Sequence, residues 1–467
     1  MNPYLPSWEY VPDGEPHLYN GRVYVYGSHD MFNGFVYCQN DYVCWSAPEN
    51  DLTNWRYEGV IYQKTQDPYN ADGSMCLYAP DVTQGPDGKY YLYYVLDKVD
   101  VVSVAVCDEP AGQYEFLGYV HYADGTLLGM KSGDDPQFDP AVLTEGERTY
   151  LYTGFGFAWD KTRHGPMATV LGKDMLTIEE APRFILPSAS YVKGSRFEGS
   201  EYEGHEFFEA ASIRKVNGKY CFVYSSVKMH ELCYAISDSP LSGFRYGGVI
   251  ISNCDVGIDT YKPKTMPSYY PGNNHGGMLY ANGEWYIFYH RHTNATEFSR
   301  QGCFEKIQIL PDGRIPQVEK TTSNGCSPLP GVGEYPAYLA CILIYGNPDS
   351  DNEPWRENRY PKITQDGRDG DKVVGYISSL NNGSVAGFKY FCFSGLHRIS
   401  IFTRGYGEGV YEVRTELDGE ALCSLPVGYT DVWKKSSVEA HIPDGVSALY
   451  FTFVGKGYSS LRSFVLE

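Results

Sequence analysis

The sequence of 467 residues lacks long apolar runs and any excess of positive charge. No stretch approaches the roughly 18 consecutive apolar residues that indicate a transmembrane helix, so we expect no membrane-spanning segment. The 38 Lys and Arg residues are outnumbered by 58 Asp and Glu residues, which gives a net charge of −20. Nucleic acids, anionic membrane surfaces and highly acidic substrates such as polygalacturonate repel such a protein. The charge balance therefore argues against all three as partners.

Paired cysteines and a secretory signal are also missing. The 12 cysteines occur singly in apolar, strand-like contexts, and none forms a CxxC pair. This pattern argues against a disulfide framework or a zinc site and indicates reduced, buried thiols. The first residues, MNPYLPSWEY, contain neither a basic segment nor an apolar run. Together these features predict a cytoplasmic protein.

Glycine, proline and tyrosine are abundant, with 50, 28 and 43 residues respectively. Such a composition is typical of many short strands joined by tight turns, and helix signals are sparse throughout. Tyrosine also supplies aromatic rings with a polar tip, a surface on which sugars stack and form hydrogen bonds. The composition favours an all-β fold and is compatible with a carbohydrate ligand.

One short pattern occurs five times along the chain. Each copy is a tight turn, Asn-Gly, Asp-Gly or Glu-Gly, that leads into alternating aromatic and β-branched residues, as in DGKYYLYYV. This is the signature of a hairpin turn that precedes a buried strand. A unit of several strands repeated five times predicts a five-bladed β-propeller over residues 1–330. The turn glycines recur at similar intervals and are Gly21, Gly88, Gly146, Gly218 and Gly283.

A polar residue stands a few positions before each of these turns. If the copies are equivalent, each residue begins the innermost strand of its blade, and the five side chains converge on one end of a central channel. Acids that precede strands are also ordinary turn residues, so a structural role remains open for any single position. The five residues are Asp13, Asp81, Asp139, Glu209 and His275.

The pattern changes after a connector rich in proline and glycine at residues 327–338, which marks a domain boundary. Beyond it, segments such as HRISIFTRG and SALYFTFVG read as strands of moderate length separated by turns. We expect residues 331–467 to form a single β-sandwich of the jelly-roll type.

At these motifs the chain resembles glycoside hydrolase family 43. PDGEPH with Asp13, FDPAV with Asp139 and FFEAASIRK with Glu209 are similar to three acidic signatures of that family, in the same order. YAPDV with Tyr78 is similar to the W-A-P-D segment, with tyrosine in place of tryptophan. The C-terminal region is similar to family 6 carbohydrate-binding modules at GFKYF, at VWKKSSVEAHIPDG with Trp433, and at LYFTFVGKG. A purely structural cap is the alternative for this region.

The resemblance implies a five-bladed inverting hydrolase that removes arabinose or xylose from plant polysaccharide fragments. Glu209 would be the general acid, Asp13 the general base, and Asp139 the neighbour that keeps Glu209 protonated or holds the sugar ring. Inverting carboxyl groups stand roughly 6.5–9.5 Å apart to admit a water molecule. The missing signal favours an exo-acting enzyme on small imported oligosaccharides. Arabinofuranosidase and xylosidase activities both remain open.

Further candidates concern sugar contacts and a metal ion. Arg291 would orient Asp13 or bind a sugar hydroxyl, with a surface ion pair as the alternative. His275 corresponds to an axial histidine that often helps to hold calcium through water in the family, and a buried, water-bonded histidine is the alternative. No cofactor is otherwise expected. The candidate substrate-binding residues are Asp81, Arg291, His29, Phe32 and Tyr78, although core packing is an alternative for Phe32.

Two other functions are alternatives. A retaining fructosidase typically has N-D-P-N-G, R-D-P and E-C at its three acids, whereas this chain has PDGEPH, FDP and FEA, which disfavours it. A lectin-like propeller would bind sugar with the same polar residues and perform no chemistry. Hydrolysis of aryl glycosides distinguishes an enzyme from a lectin, and no oligomeric state is predicted.

Overall fold

The computed structural model describes residues 1–158, 160–189, 199–346 and 360–467. Secondary structure in these ranges is almost entirely β, with 31 strands and three single-turn 3₁₀ helices, Lys64–Gln66, Pro68–Asn70 and Ala337–Leu339. The strands form seven sheets. Among the described residues, none of the helices has the length and apolar character needed to cross a bilayer. The all-β expectation is confirmed.

Five small antiparallel sheets follow one another along the chain. The first four contain four strands each and the fifth contains three, and within every sheet the strands pair in sequence order. The strands, sheet by sheet, are β1 (Glu15–Tyr19), β2 (Arg22–Tyr26), β3 (Tyr42–Pro48) and β4 (Arg56–Tyr62); β5 (Leu77–Gln84), β6 (Tyr90–Leu96), β7 (Ser103–Cys107) and β8 (Glu115–Tyr119); β9 (Ala141–Glu145), β10 (Arg148–Thr153), β11 (Met167–Leu171) and β12 (Ile178–Phe184); β13 (Phe207–Val216), β14 (Lys219–Ser226), β15 (Glu231–Ser237) and β16 (Arg245–Ser252); β17 (Met278–Ala281), β18 (Glu284–His292) and β19 (Arg300–Ile307).

The repeated turns join the first two strands of each sheet. In three of them both central residues have positive φ, the requirement of a type I′ turn, which asparagine followed by glycine meets at little steric cost. These turns set the register of the β1–β2, β13–β14 and β17–β18 hairpins. The three pairs are Asn20 and Gly21, Asn217 and Gly218, and Asn282 and Gly283.

The five sheets pack in a cycle. Their first strands are neighbours, because β1 contacts β5 and β17, while β9 contacts β5 and β13, and β13 contacts β17. Five apolar clusters fill the spaces between successive sheets, including one between the fifth sheet and the first that contains Phe288 and Val43. The starts of the first strands are therefore brought to a common centre.

Two further sheets of six strands each follow. In one sheet the order is β20-β25-β30-β27-β28 with β22 beside β25, and in the other it is β23-β24-β31-β26-β29 with β21 beside β31. Both sheets contribute to one large apolar cluster that includes Phe388 and Phe464. Their strands are β20 (Leu329–Pro330), β21 (Gly333–Pro336), β22 (Ile342–Ile344), β23 (Lys362–Thr364), β24 (Tyr376–Leu380), β25 (Val385–Phe393), β26 (Arg398–Gly405), β27 (Glu408–Arg414), β28 (Cys423–Val427), β29 (Thr430–Glu439), β30 (Gly445–Lys456) and β31 (Ser459–Leu466).

Buried polar contacts join the C-terminal sheets to the five N-terminal ones. The Lys389 ammonium group lies 2.7 Å from a Glu319 carboxylate oxygen and 3.3 Å from one of Asp255. Arg291 donates hydrogen bonds to the backbone carbonyls of Tyr338 and Ala340. These contacts connect the two parts of the chain across their junction.

Candidate active site

A cavity of about 200 Å³ lies where the first strands converge. Its polar wall brings together residues from four of the five repeats: Asp13 ahead of β1, Asp139 ahead of β9, Glu209 on β13 and His275 ahead of β17. Aromatic side chains, Tyr37, Tyr78 and Phe138, complete part of the lining, and Arg300 and Asn273 add further polar groups. A small concave site with converging carboxyl groups is suited to binding and cleaving a polar ligand.

The backbone is strained where these carboxyl groups enter the cavity. Asp13 and Asp139 have φ values of 56° and 43°, and Ala210, directly after Glu209, has 68°. Residues other than glycine rarely adopt this left-handed region, and they persist there when surrounding contacts hold them. One such contact joins two of these positions: the Ala210 N–H donates a hydrogen bond to Asp139 Oδ2 at 2.9 Å. A left-handed backbone conformation thus occurs at, or directly beside, each of the three acidic positions.

Arg300 determines the charge state of Asp13. Its Nη1 lies 3.0 Å from Asp13 Oδ1, and its Nε and Nη2 bind the buried Asp30 carboxylate at 2.8 and 3.0 Å. Burial alone raises the pKa of Asp13, but the guanidinium charge of Arg300 is the largest of the opposing effects, and the pKa falls well below its usual range. Asp13 is therefore ionised in the resting protein.

His290 supports the backbone of Asp13. Its Nε2 faces the Asn273 carbonyl at 2.8 Å, and because a carbonyl only accepts, this nitrogen carries the proton. The other nitrogen, Nδ1, accepts the Asp13 N–H at 3.3 Å. Burial lowers the pKa of His290, which keeps the ring neutral and this pair of bonds intact.

Glu209 and Asp139 have the opposite electrostatic environment. Burial raises the pKa of Glu209 well above its ordinary value, and the negative charges of Asp139 and then Asp13 raise it further. Burial also raises the pKa of Asp139, again assisted by Asp13. The two groups are close enough to titrate together. The cavity thus contains one ionised carboxylate and a neighbouring pair that retains a proton, the division of labour used in acid–base catalysis.

Of the five predicted sugar contacts, Tyr78 lines the cavity, where its ring meets Phe138 edge-on with 5.8 Å between centroids. Asp81 lies outside the lining and is fully buried. It accepts hydrogen bonds from the Val82 and Val142 N–H groups at 2.7 and 2.8 Å and lies 2.6 Å from His17 Nε2. Asp81 therefore links the first three sheets.

The other three predicted contacts also lie outside the lining. Arg291 binds Gln301 and the two carbonyls described above, and Arg300 occupies the position beside Asp13 that was expected for Arg291. His29 lies between Glu9 Oε1 and the Asp41 carbonyl, at 3.0 and 2.9 Å. Phe32 is buried against Tyr10.

Few side chains around His275 could bind calcium directly, and a calcium ion held there through water stays a prediction. Calcium takes about six to eight oxygen ligands, whereas the carboxylate beside His275 is Asp139 at 3.8 Å, and Arg300 adds positive charge nearby. Within the described ranges, neither of the two groups of potential metal ligands includes His275. One of these groups, Glu15, His17 and Asp81, also contacts the Arg214 guanidinium, which binds Glu15 Oε2 at 2.7 Å.

Several residues of the site were missed by sequence reasoning, namely Arg300, Asp30, His290, Tyr37, Phe138 and Asn273. Arg300 pairs with His292 across the β18–β19 ladder, so the prediction of Arg291 indicated the correct sheet, but the adjacent strand supplies the arginine. A buried run after Arg300 is visible in the sequence, but its acidic partner is 287 positions away. A local sequence pattern can indicate that a residue such as Arg300 is buried, but it does not identify the residue with which it pairs.

Comparisons with known proteins agree with this geometry. Residues 12–315 match the family model described as glycosyl hydrolases family 43. A protein named xylosidase/arabinosidase from Thermoclostridium stercorarium is 63% identical over 470 residues, covering 100% of this chain and 98% of its own.

Solved structures are also similar. A family 43 β-xylosidase/α-arabinofuranosidase from a compost microbial metagenome, in complex with xylotriose, has a TM-score of 0.53 at 26% identity, covering 68% of this chain and 97% of its own. A family 43 arabinoxylan arabinofuranohydrolase from Bacillus subtilis, in complex with cellotetraose, has a TM-score of 0.51 at 21% identity, covering 100% and 97% respectively, and this likeness concerns the fold. The chain belongs to glycosyl hydrolase family 43 and is a glycoside hydrolase.

Proposed function

We propose that the protein is an inverting, exo-acting glycoside hydrolase that releases arabinofuranose, xylose or both from arabino- and xylo-oligosaccharides. One observation carries the proposal: an ionised carboxylate, Asp13, shares a cavity with a proton-retaining pair, Glu209 and Asp139. The substrate class follows the name of the relative that is 63% identical over the whole chain.

In the proposed reaction, Glu209 donates its proton to the glycosidic oxygen while the bond from that oxygen to the anomeric carbon breaks. Asp13 accepts a proton from a water molecule, whose oxygen bonds to the anomeric carbon on the opposite face of the sugar. The product sugar has the inverted configuration, and the leaving chain departs as an alcohol. Asp139 keeps the proton on Glu209 by its position beside it, and Arg300 keeps Asp13 ionised.

Exo action is supported by the size of the cavity. At about 200 Å³ it is smaller than the ~300–1,000 Å³ pockets that enclose drug-sized ligands. A space of this size suits one terminal sugar unit better than an internal stretch of polymer.

For the architecture, we infer a five-bladed propeller followed by a β-sandwich. The cyclic packing of the five small sheets supports the first part, and the single apolar cluster shared by the two larger sheets supports the second. In the C-terminal part, the Arg404 guanidinium lies 4.4 Å from the Trp433 ring centroid. This stacking favours a structural role for Trp433 over a free sugar platform. Calcium has no step in the proposed reaction, and a cytoplasmic location stays a prediction.

The test is hydrolysis of aryl arabinofuranosides and xylopyranosides, with NMR of the anomer first released. We expect inversion, and a loss of roughly 10²–10⁴-fold in kcat/KM for Asp13→Asn and for Glu209→Gln. The Glu209→Gln loss should be smaller on p-nitrophenyl glycosides than on oligosaccharides, because a nitrophenolate leaves without protonation. Exposed acids, through Asp108→Asn and Glu147→Gln, provide matched controls.

Each alternative has its own outcome. A retained configuration would overturn the inverting mechanism. A wild type that binds pentosides but hydrolyses none of the aryl glycosides or oligosaccharides would favour the lectin-like function.

A further inference from the structure

The segment of residues 31–40, here called the rim loop, lies between β2 and β3 and forms one side of the cavity. Tyr37 and Cys38 from this loop line the cavity. The C-terminal part of the chain also contacts this loop. Contacts between the rim loop and the C-terminal part therefore influence the shape of the cavity.

One carboxylate from the C-terminal part binds the rim loop near both of its ends. Asp369 Oδ1 accepts the Phe32 N–H at 2.7 Å, and Asp369 Oδ2 accepts the Asn40 Nδ2–H at 3.1 Å. Hydrogen bonds to an ionised acceptor are stronger than neutral ones. In an Asp369→Asn variant, the side-chain oxygen would still accept one of these hydrogen bonds. The amide NH₂ group would replace the second oxygen and face another donor.

A second route connects the same two parts. The Asn294 N–H donates to the Ile363 carbonyl at 2.7 Å, and the Thr364 hydroxyl donates to Asn294 Oδ1 at 2.9 Å. The Asn294 side-chain amide in turn donates to Asn33 Oδ1 in the rim loop. Strand β23 therefore binds Asn294, which in turn binds the rim loop.

The rim loop is coupled to the reacting groups as well. The Cys38 N–H donates to Asp30 Oδ1 at 3.0 Å, and Asp30 binds Arg300, which binds Asp13. The Arg300 guanidinium lies 4.9 Å from the Tyr37 ring centroid. A shift of this loop therefore displaces the cavity wall on the side of Arg300.

We propose that Asp369 is a positioning residue of the active site: it holds the rim loop against the cavity, so that the C-terminal part contributes directly to substrate affinity. The inference rests on the proposed function in one respect, since the substrate is taken to be a pentoside in this cavity. A loop that contacts bound sugar in the ground state and the transition state alike affects KM more than kcat.

Steady-state kinetics of the full-length protein test this. For Asp369→Asn we expect KM for an aryl pentoside to rise roughly 10-fold, as for a modest misplacement of a binding wall, with kcat nearly unchanged. Asp431→Asn, at an exposed carboxylate on β29 of the same part, is the matched control and should equal the wild type. Thr364→Val removes the hydroxyl that binds Asn294 and so weakens the second route. The effects of Asp369→Asn and Thr364→Val on KM should not be additive in the double variant, because both routes hold the rim loop. A wild-type KM in fully active Asp369→Asn overturns the inference.

A readout independent of activity separates this inference from the proposed function. Hydrogen exchange followed by mass spectrometry should show faster exchange of rim-loop amides in Asp369→Asn, with the sheets unchanged and no effect in Asp431→Asn. Exchange that rises across the whole chain would indicate a merely structural role, and unchanged exchange in the loop would also contradict the proposal. Failure of the proposed function would instead appear in the wild type, as absent hydrolysis.

Discussion

Among single residues, Arg300 has the largest influence on the reactivity of the cavity. It is buried, and it binds Asp30 through Nε and Nη2 and Asp13 through Nη1, in a geometry that a lysine cannot reproduce. Its positive charge lowers the pKa of Asp13. At Glu209 the negative charges of Asp139 and Asp13 oppose this effect. Similar side chains thus acquire different protonation states from their surroundings alone.

The first prediction concerns Arg300→Met. Removal of a positive charge that lowers the pKa of Asp13 raises that pKa, so the acid limb of the kcat/KM profile should move to higher pH. The acid limb should move little in Arg300→Lys, which keeps the positive charge but lacks the paired N–H donors of the guanidinium group. A pH–rate series on an aryl pentoside measures both, and an unmoved acid limb in Arg300→Met would contradict the assignment of Asp13 as base.

The second prediction concerns Glu209→Gln and stability. The native carboxyl has a pKa raised above the ordinary value of 4.5, whereas the unfolded one ionises near that value. The free energy of unfolding is therefore reduced as pH rises above about 4.5, by up to ~1.4 kcal/mol for each unit that separates the two pKa values. Glutamine does not ionise, so the variant should melt at a higher temperature than the wild type at pH 7 and at a similar temperature near pH 4. Calorimetry at both pH values measures this, and an equal melting temperature at pH 7 would count against a protonated Glu209.

At the level of elements, the starts of the first strands share polar contacts that hold neighbouring sheets together. Asp81 is the clearest case, because its carboxylate binds Val142 in the third sheet and His17 in the first. Such a group satisfies backbone donors at the centre of the fold, where unpaired N–H groups are costly.

The third prediction is that Asp81→Asn reduces stability and leaves substrate affinity unchanged. Loss of one buried acceptor should lower the free energy of unfolding by about 1–3 kcal/mol, measured from urea midpoints, while KM stays at its wild-type value. Asp108→Asn, at an exposed carboxylate directly after β7, provides the control. A raised KM with normal stability would restore Asp81 as a sugar contact.

At the level of the whole molecule, the two parts of the chain are joined by ion pairs of Lys389, in which the Lys389 and Asp255 side chains are fully buried and the Glu319 side chain is partly exposed. Removal of one partner from a buried pair is much more costly than the pair itself is stabilising, because the remaining charges lose their compensation. The junction is therefore a place where single substitutions have large effects.

The fourth prediction is that Lys389→Met lowers the free energy of unfolding by about 3–5 kcal/mol. Asp255 and Glu319 would then both lose their ion pair with the Lys389 ammonium group. Urea unfolding followed by fluorescence measures the change, and Lys434→Met on exposed strand β29 is the control. A midpoint equal to that of the control would show that water replaces the ammonium group at the junction.

Much of the fold was accessible from sequence because its signals are local. Alternation of aromatic and β-branched residues and the asparagine–glycine turns predicted the hairpins, and type I′ turns occur at Asn20, Asn217 and Asn282. The three acids of the family signatures could be selected for the same reason, since each is set in a short motif. The prediction of Arg291 indicated the correct ladder, but Arg300 on the adjacent strand is the arginine that binds Asp13.

The sequence by itself determined the strands, the turns and the family, since each depends on residues that are close together in the chain. Only the tertiary structure decided which charge lies beside which carboxylate and which part of the chain holds the rim loop. Asp13 and Arg300 are 287 positions apart, and Phe32 and Asp369 are 337 apart. Contacts over such separations depend on how whole sheets pack, and pairwise proximity of this kind leaves no periodic trace in a single sequence.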